Sequence, residues 1–249
     1  MKLTAYKTPV VRVGSHDLYE LIDSVLPSVP EGSIIAIAGK IVSLCEGRVV
    51  PVEQIDKDEL IKQEAQQYLP RHLSSYNVSF TITRNMLLPT AGIDESNADG
   101  HYILWPKDLQ ASANAIRQHI VTKHGLQKVG VILTDSTTRA MQWGVTGVAL
   151  AYSGFVPLKN YIGEPDIFGR VMQFETSSMS NGLAAAAVVM MGEGAEQTPI
   201  ALIEDLPFIE FQNRNPTDEE LTNLRIKPED DLYWPLIQNA PWLPGDQKN

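Results

Sequence analysis

The sequence predicts an α+β fold, with mixed sheets packed against helices. Apolar runs with strand character recur along the chain. Amphipathic stretches with helical spacing lie between them. The two kinds do not follow the strict βαβ alternation that a parallel wind requires. The 249 residues are 43 % hydrophobic and 20 % charged, which suits a soluble globular chain with a sizeable core.

Residues 1–13 read as a strand broken by Pro9. Leu18, Leu21, Ile22 and Leu26 then repeat at helical spacing, and Ser15 is the expected cap. The run from Ser33 to Val42 is nearly all β-branched or apolar, as in a strand buried on both faces. Asp56 to Leu69 reads as a polar amphipathic helix stopped by Pro70. Val78 to Thr83 alternates as a strand. Lys107 to Lys123 is a long helix with Leu109, Ala113, Ile116 and Ile120 on one face. Lys128 to Thr134 is a strand, while Val145 to Tyr152 fits a strand or a packed helix. Ser177 to Met191 is a helix with a very small side-chain face, closed by Gly192. Pro199 to Ile203 is a late strand. Past Phe208 the composition shifts, with short acidic helices opening near Pro216 and Pro228 and a tail fraying after Gly245. The expected division is residues 1–206 as the main domain and 207–249 as a helical extension.

Bulk chemistry narrows the function. A net charge of −10 argues against a nonspecific nucleic-acid binder. Cys45 is the one cysteine, so no internal disulfide and no cysteine-based zinc site can form. The longest apolar run, Leu183 to Met191, falls short of the ~20 residues a membrane span needs. The N-terminus has no apolar secretory core, and a cytoplasmic protein is expected.

Two segments carry the chemistry: Thr90-Ala91-Gly92-Ile93-Asp94-Glu95-Ser96-Asn97 and Val129-Gly130-Val131-Ile132-Leu133-Thr134-Asp135-Ser136. In each, an apolar run ends in an aspartate with small polar neighbours. Carboxylates, hydroxyls and waters suit Mg²⁺ or Mn²⁺ shared with substrate phosphates. The competing reading is that both aspartates cap turns. Met191-Gly192-Glu193-Gly194-Ala195-Glu196 is a third candidate, where glycines admit a ligand and Glu193 reaches a metal, or where a helix simply ends. Arg48 after Glu46-Gly47 is either a hairpin charge or an anion-binding arginine at the mouth of the sheet. Gly39-Lys40 after a strand invites a P-loop reading, but Ile41 stands where Ser or Thr is required. The five histidines, at 16, 72, 101, 119 and 124, form no metal-ligand spacing.

Six collinear segments resemble the coenzyme F420 γ-glutamyl ligase family. They are Thr8-Pro9-Val10-Val11, AGKIVSLCEGRVV from Ala38, AGIDESN from Ala91, VGVILTDSTTR from Val129, Asp166 with Phe168-Gly169-Arg170, and MGEGAEQTP from Met191. The tail from Phe208 is closer to a bacterial subgroup named for folate metabolism. The resemblance implies an intertwined homodimer that joins L-glutamate to a carboxylate acceptor, F420-like or folate-like, with GTP as co-substrate. It implies Asp94 and Asp135 on one Mg²⁺ or Mn²⁺ ion, with Ser136 (threonine in the family) and Glu193 on a second, two ions per subunit. Thr8, Pro9, Val10, Val11, Lys40, Asn97, Glu193 and Gly194 would meet the nucleotide. Arg139, with Arg48 and Arg170, could hold the acidic substrates. Leu44 replaces a family lysine, and Asn181-Gly182 and Glu204-Asp205 also depart from the family pattern. The Leu44 change leaves open a catalytically silent nucleotide- or metal-binding regulator on the same scaffold. A metal-dependent phosphohydrolase ranks last, since no base is evident.

Overall fold

Five strands of the computed structural model, which describes residues 1–247, form its central sheet. The first elements are β1 (Lys2–Tyr6), α1 (Leu18–Val25), β2 (Ser33–Ala38) and α2 (Gly39–Glu46). Then come β3 (Val49–Pro51), α3 (Lys57–Glu64), β4 (Gln67–Leu69), β5 (Phe80–Thr83), β6 (Met86–Pro89) and β7 (His101–Ile103). The middle of the chain supplies α4 (Leu109–His124), β8 (Val129–Thr138), β9 (Val145–Ser153), β10 (Leu158–Asn160) and β11 (Thr176–Ser178). The last part supplies α5 (Met179–Met191), β12 (Ile200–Glu204), α6 (Asp218–Asn223), α7 (Trp234–Ile237) and β13 (Leu243–Pro244). The central order is β1-β12-β2-β8-β9; only β2 and β8 run parallel. The mixed α+β class predicted from sequence is what the structure has.

Both faces of the central sheet are covered. Ile35 and Ile37 of β2 and Val131 and Leu133 of β8 pack with α1, α2 and α4. Their alternates, Ile34, Ala36 and Ile132, pack against α5, as the period of two along a strand dictates. The small face of α5 permits a close approach. A Cβ on Gly147 of β9 would lie 2.6 Å from the Ala184 carbonyl and 2.7 Å from Val188. A third cluster joins Leu60, Ile61, Ile93, Tyr102 and Leu104 beneath the small β3–β7 pair.

Several boundaries differ from the sequence reading. The apolar run at 33–42 is a strand only to Ala38; Gly39 opens α2. Ile41, Val42 and Leu44 are buried helix residues, and period alone does not separate a buried strand from a buried helix. Arg48 therefore follows a helix closed by left-handed Gly47, not a hairpin. Asp17 caps α1 in place of Ser15, accepting from the Tyr19 and Glu20 amides. The 56–69 helix stops at Glu64, and Gln67–Leu69 pair with β5. Val145–Ser153 is a strand.

The extension returns to the body. Arg117 of α4, 2 % exposed, donates to the Val129 and Gln212 carbonyls and to Asn215 Oδ1. Strand β13 pairs with β4. The backbone past Gly245 does not fray up to Gln247: the Gly245, Asp246 and Gln247 amides donate to Gln66, Lys62 and Ala65 carbonyls. Among the described residues no helix is long and apolar enough to cross a membrane.

Two arms project from this body. The β8–β9 turn carries Met141 and Trp143, and the loop between β10 and β11 carries Ile167, Phe168 and Phe174. Each of these five is at least 89 % exposed.

Candidate functional site

A cavity of about 560 Å³ opens where β2, β8, the 90–99 loop and the 192–198 loop converge. Its volume suits a small ligand. Thr8, Pro9, Val10, Val11, Lys40, Asp94, Asn97, Asp135, Ser136, Glu193 and Gly194 all line it. The three arginines singled out from sequence for the acidic substrates, Arg48, Arg139 and Arg170, do not line it. Arg139 sits exposed beyond the end of β8. Four residues along a strand separate it from Asp135, roughly 13 Å. Arg48 is also elsewhere, bound to Glu64 at 2.6 Å. Arg170 lies exposed on the second arm. The neighbouring arginine that does line the cavity is Arg12, whose Nε donates to Asp99 at 3.1 Å.

The loop that presents Asp94 is built from unusual backbone. Thr90, Ala91 and Gly92 have φ values of 55, 54 and 72°, and Asn97 and Asp99 are also left-handed. Such residues cost about 1 kcal/mol or more each when they are not glycine. Two threonines hold the turn: buried Thr81 Oγ1 accepts from the Ala91 amide, and Thr90 Oγ1 donates to the Ile93 carbonyl. Asp94 then exchanges two backbone hydrogen bonds with Ile103. It stands in an isolated bridge, not at the end of a long strand.

Lys40, in the first turn of α2, forms an ion pair with Asp94 Oδ2 and donates to Ser96 Oγ and O at 3.1 Å. Asp94 Oδ1 accepts from the Ser96 amide and hydroxyl at 2.7 and 2.8 Å. Burial pushes the Asp94 pKa up, but Lys40 and Ser96 outweigh it and hold the carboxyl below its ordinary value. Ala38, the N-cap of α2, offers no side-chain cap. The uncapped start of α2 and the Lys40 ammonium thus line the same cavity, and a helix N-terminus beside a cation attracts anions.

Asp135 lies within β8, which continues to Thr138, so it is not a strand-end residue either. A register shift in the β8–β9 ladder immediately precedes it, between Leu133 and Thr134. It shares the face of Val131 and Leu133. There Trp105 Nε1 donates to Oδ2 at 2.6 Å, and the Ser136 amide donates to Oδ1 at 2.8 Å. Burial pushes its pKa up to about 6, with the nearby Asp94 charge adding to the rise. Trp105, Ser136 and Lys40 only partly offset this.

The third wall is the loop after α5. Ser136 Oγ donates to Glu193 Oε1 at 2.7 Å. Asn97 Nδ2 donates to the Gly194 carbonyl at 3.0 Å. Glu196 folds back to accept from the Gly194 amide, and the Thr8 amide donates to Gln197 O. The five separated segments, at 8–11, 40, 94–97, 135–136 and 192–198, are therefore brought around one space.

The donor set fits hard divalent cations. It offers carboxylates and a hydroxyl, with no thiol or imidazole. At Asp94 an ammonium already occupies the place of a positive charge. Among the described residues no three acidic, histidine or cysteine side chains converge.

Sequence reasoning passed over Trp105. No local pattern marks Trp105, since its partner is 30 residues away.

The model of the F420-0:gamma-glutamyl ligase family matches residues 6–205. The coenzyme F420:L-glutamate ligase of Methanosarcina acetivorans is 31 % identical over 217 residues, covering 81 % of this chain and 84 % of its own. The protein of the same name from Methanopyrus kandleri is 33 % identical over 212 residues, 79 % of this chain and 83 % of its own. That of Methanocaldococcus jannaschii is 29 % identical over 242 residues, 89 % of this chain and 96 % of its own.

Proposed function

This chain belongs to the F420-0:gamma-glutamyl ligase family, and from that premise we propose that it joins L-glutamate to a carboxylate acceptor at the expense of a nucleoside triphosphate. The carrying observation is that Asp94, Asp135 and Lys40, far apart in sequence, meet in one cavity with an open helix N-terminus.

A carboxylate is a poor electrophile, so the reaction needs activation. In the proposed sequence an acceptor carboxylate oxygen attacks the γ-phosphorus of GTP, and GDP leaves. The resulting acyl phosphate is attacked at carbon by the glutamate amine. The amide forms, phosphate departs, and the amine gives up a proton. Phosphoryl transfer asks the protein for position and charge stabilisation more than for covalent chemistry. Lys40 and the first-turn amides of α2 hold phosphate oxygens. Asp94 and Asp135 would hold one Mg²⁺ or Mn²⁺ ion, and Ser136 and Glu193 a second, to offset charge on the bridging oxygens. Lys40, paired with Asp94 here, would be released to meet phosphate where Asp94 held a divalent ion. The loops at 8–11 and 192–198 close over the nucleotide, with Asn97 joining them to the Asp94 loop.

The acceptor is F420-like or folate-like. Asn181 accepts from the Ala149 amide and ties α5 to β9. No side chain fills the space beside Gly182. The projecting arms support a homodimer, because five nearly bare apolar residues on two arms call for a partner.

Leu44 favours the silent-regulator reading, since it puts a buried aliphatic side chain on the cavity wall where the family has lysine. Phosphate release separates the readings. With Mg²⁺ and GTP, release that requires both glutamate and acceptor supports the ligase. Release without glutamate supports a hydrolase. Binding of nucleotide with no turnover on any acceptor supports the regulator and overturns the ligase.

A further inference from the structure

We propose that Trp105 is a positioning residue that sets the two cavity carboxylates relative to each other. The proposal rests on the reading that Asp94 and Asp135 share a divalent ion.

One short segment, 101–105, touches both aspartates. Ile103 pairs through two backbone hydrogen bonds with Asp94. Two residues on, the Trp105 indole N–H donates to Asp135 Oδ2 at 2.6 Å. The ring is 8 % exposed and packs in the core with Leu88, Ile103 and Leu109. It also lies against Gly92, where an added Cβ would stand 2.3 to 2.6 Å from three ring atoms. The left-handed turn at 90–92 is thus fitted to this ring on one side and leads into Asp94 on the other. Asp94 and Asp135 sit on elements with no direct ladder between them. Trp105 is the rigid link: backbone to one, N–H to the other, and ring against the turn between.

The N–H has a specific task here. Ser136 N fixes Oδ1 of Asp135, and Trp105 fixes Oδ2. Together they hold both oxygens of a carboxylate that lines the cavity. Phenylalanine would fill most of the same space without that second anchor. Outer partners of this kind commonly matter by about 10–100-fold in metal affinity.

The test is Mn²⁺ titration by electron paramagnetic resonance in the presence of a non-hydrolysable GTP or ATP analogue. The proteins are wild type, Trp105→Phe, and wild type with the Trp105 indole replaced by benzothiophene, which keeps the bicyclic shape and lacks the N–H. We expect both altered proteins to bind Mn²⁺ about 10–100-fold more weakly. Turnover should recover towards wild type as Mn²⁺ is raised, so the metal requirement moves while the maximal rate does not. A purely structural tryptophan would leave Mn²⁺ affinity unmoved. If either folded variant binds Mn²⁺ within about twofold of wild type, the positioning role is wrong and the metal reading stands. If wild type binds no Mn²⁺, or Asp135→Asn binds it equally well, the metal reading fails first and takes this proposal with it.

Discussion

Asp135→Asn should make the metal-free protein more stable while destroying its activity. Burial raises the Asp135 pKa from the ordinary 3.8 to about 6. Between those values the folded chain holds the proton more tightly than the unfolded chain does. Stability from this group therefore falls as pH rises through that window, and the whole penalty is present above pH 6. A rise of that size corresponds to about 3 kcal/mol of destabilisation at neutral pH. Asparagine removes the charge and can still accept from Trp105. Its amide group would face the Ser136 N–H, which loses its acceptor at a cost of about 1 kcal/mol. The net expectation is a gain of about 2 kcal/mol at pH 7.5, or roughly 4–8 °C in Tm for a chain of this length. Urea melts in EDTA at pH 7.5 and pH 4.5 measure it. The gain should be large at the first pH and shrink towards nothing at the second. A variant no more stable than wild type at pH 7.5, or a gain that ignores pH, would refute the burial argument.

Asp94→Ala should abolish ligation at saturating Mg²⁺ and leave circular dichroism unchanged, because the carboxylate is partly open to the cavity and Lys40 keeps its bonds to Ser96; near wild-type turnover would remove Asp94 from the site. Gly154→Ala should unfold the protein or lower its Tm sharply, since φ is +86° and the new Cβ would sit 2.2 Å from the Val129 carbonyl; an unchanged melt would contradict the packing described. Light scattering should give a dimer, and Trp143→Glu with Phe168→Glu should weaken it. A monodisperse, active monomer of 27.5 kDa would sink the dimer reading. Glu220→Gln should loosen the extension by about 1 kcal/mol, since the Arg214 and Thr217 partners hold its carboxyl down to about 2 and form a capping box. The effect, read by amide exchange over 214–224, should fade as pH falls through the carboxylate range, because that stabilisation exists only while Glu220 is ionised.

Local chemistry was legible in the sequence and relayed chemistry was not. The helix at 109–124 announced itself by its period, and the helix at 179–191 by its small residues and closing glycine. The acidic and glycine-bearing segments that line the cavity stood out because strand, carboxylate and hydroxyl follow one another directly. The failures have one physical origin. Ile41, Val42 and Leu44 are buried all round, so their helix read as a continuation of β2. Gln67–Leu69 are a strand only because β5 and β13 pair with them from elsewhere. Trp105 looks like any core aromatic until Asp135, 30 residues on, supplies the acceptor. Arg139 and Arg48 were chosen for charge type, and neither charge reaches its own cavity. Arg12 does reach it, and it directly follows the Thr8–Val11 segment already marked.

Ligation itself is the decisive measurement. Purified protein should be incubated with GTP, Mg²⁺, isotope-labelled L-glutamate and either an F420 precursor, a folate or a metabolite extract, and the products read by mass. Wild type should yield an acceptor carrying one or more labelled glutamyl residues in amide linkage, with one GDP and one phosphate per glutamate. Asp94→Ala, or EDTA, should abolish it. Nucleotide consumed with no label in any acceptor, or labelled product formed equally well without nucleotide, would contradict the proposed function.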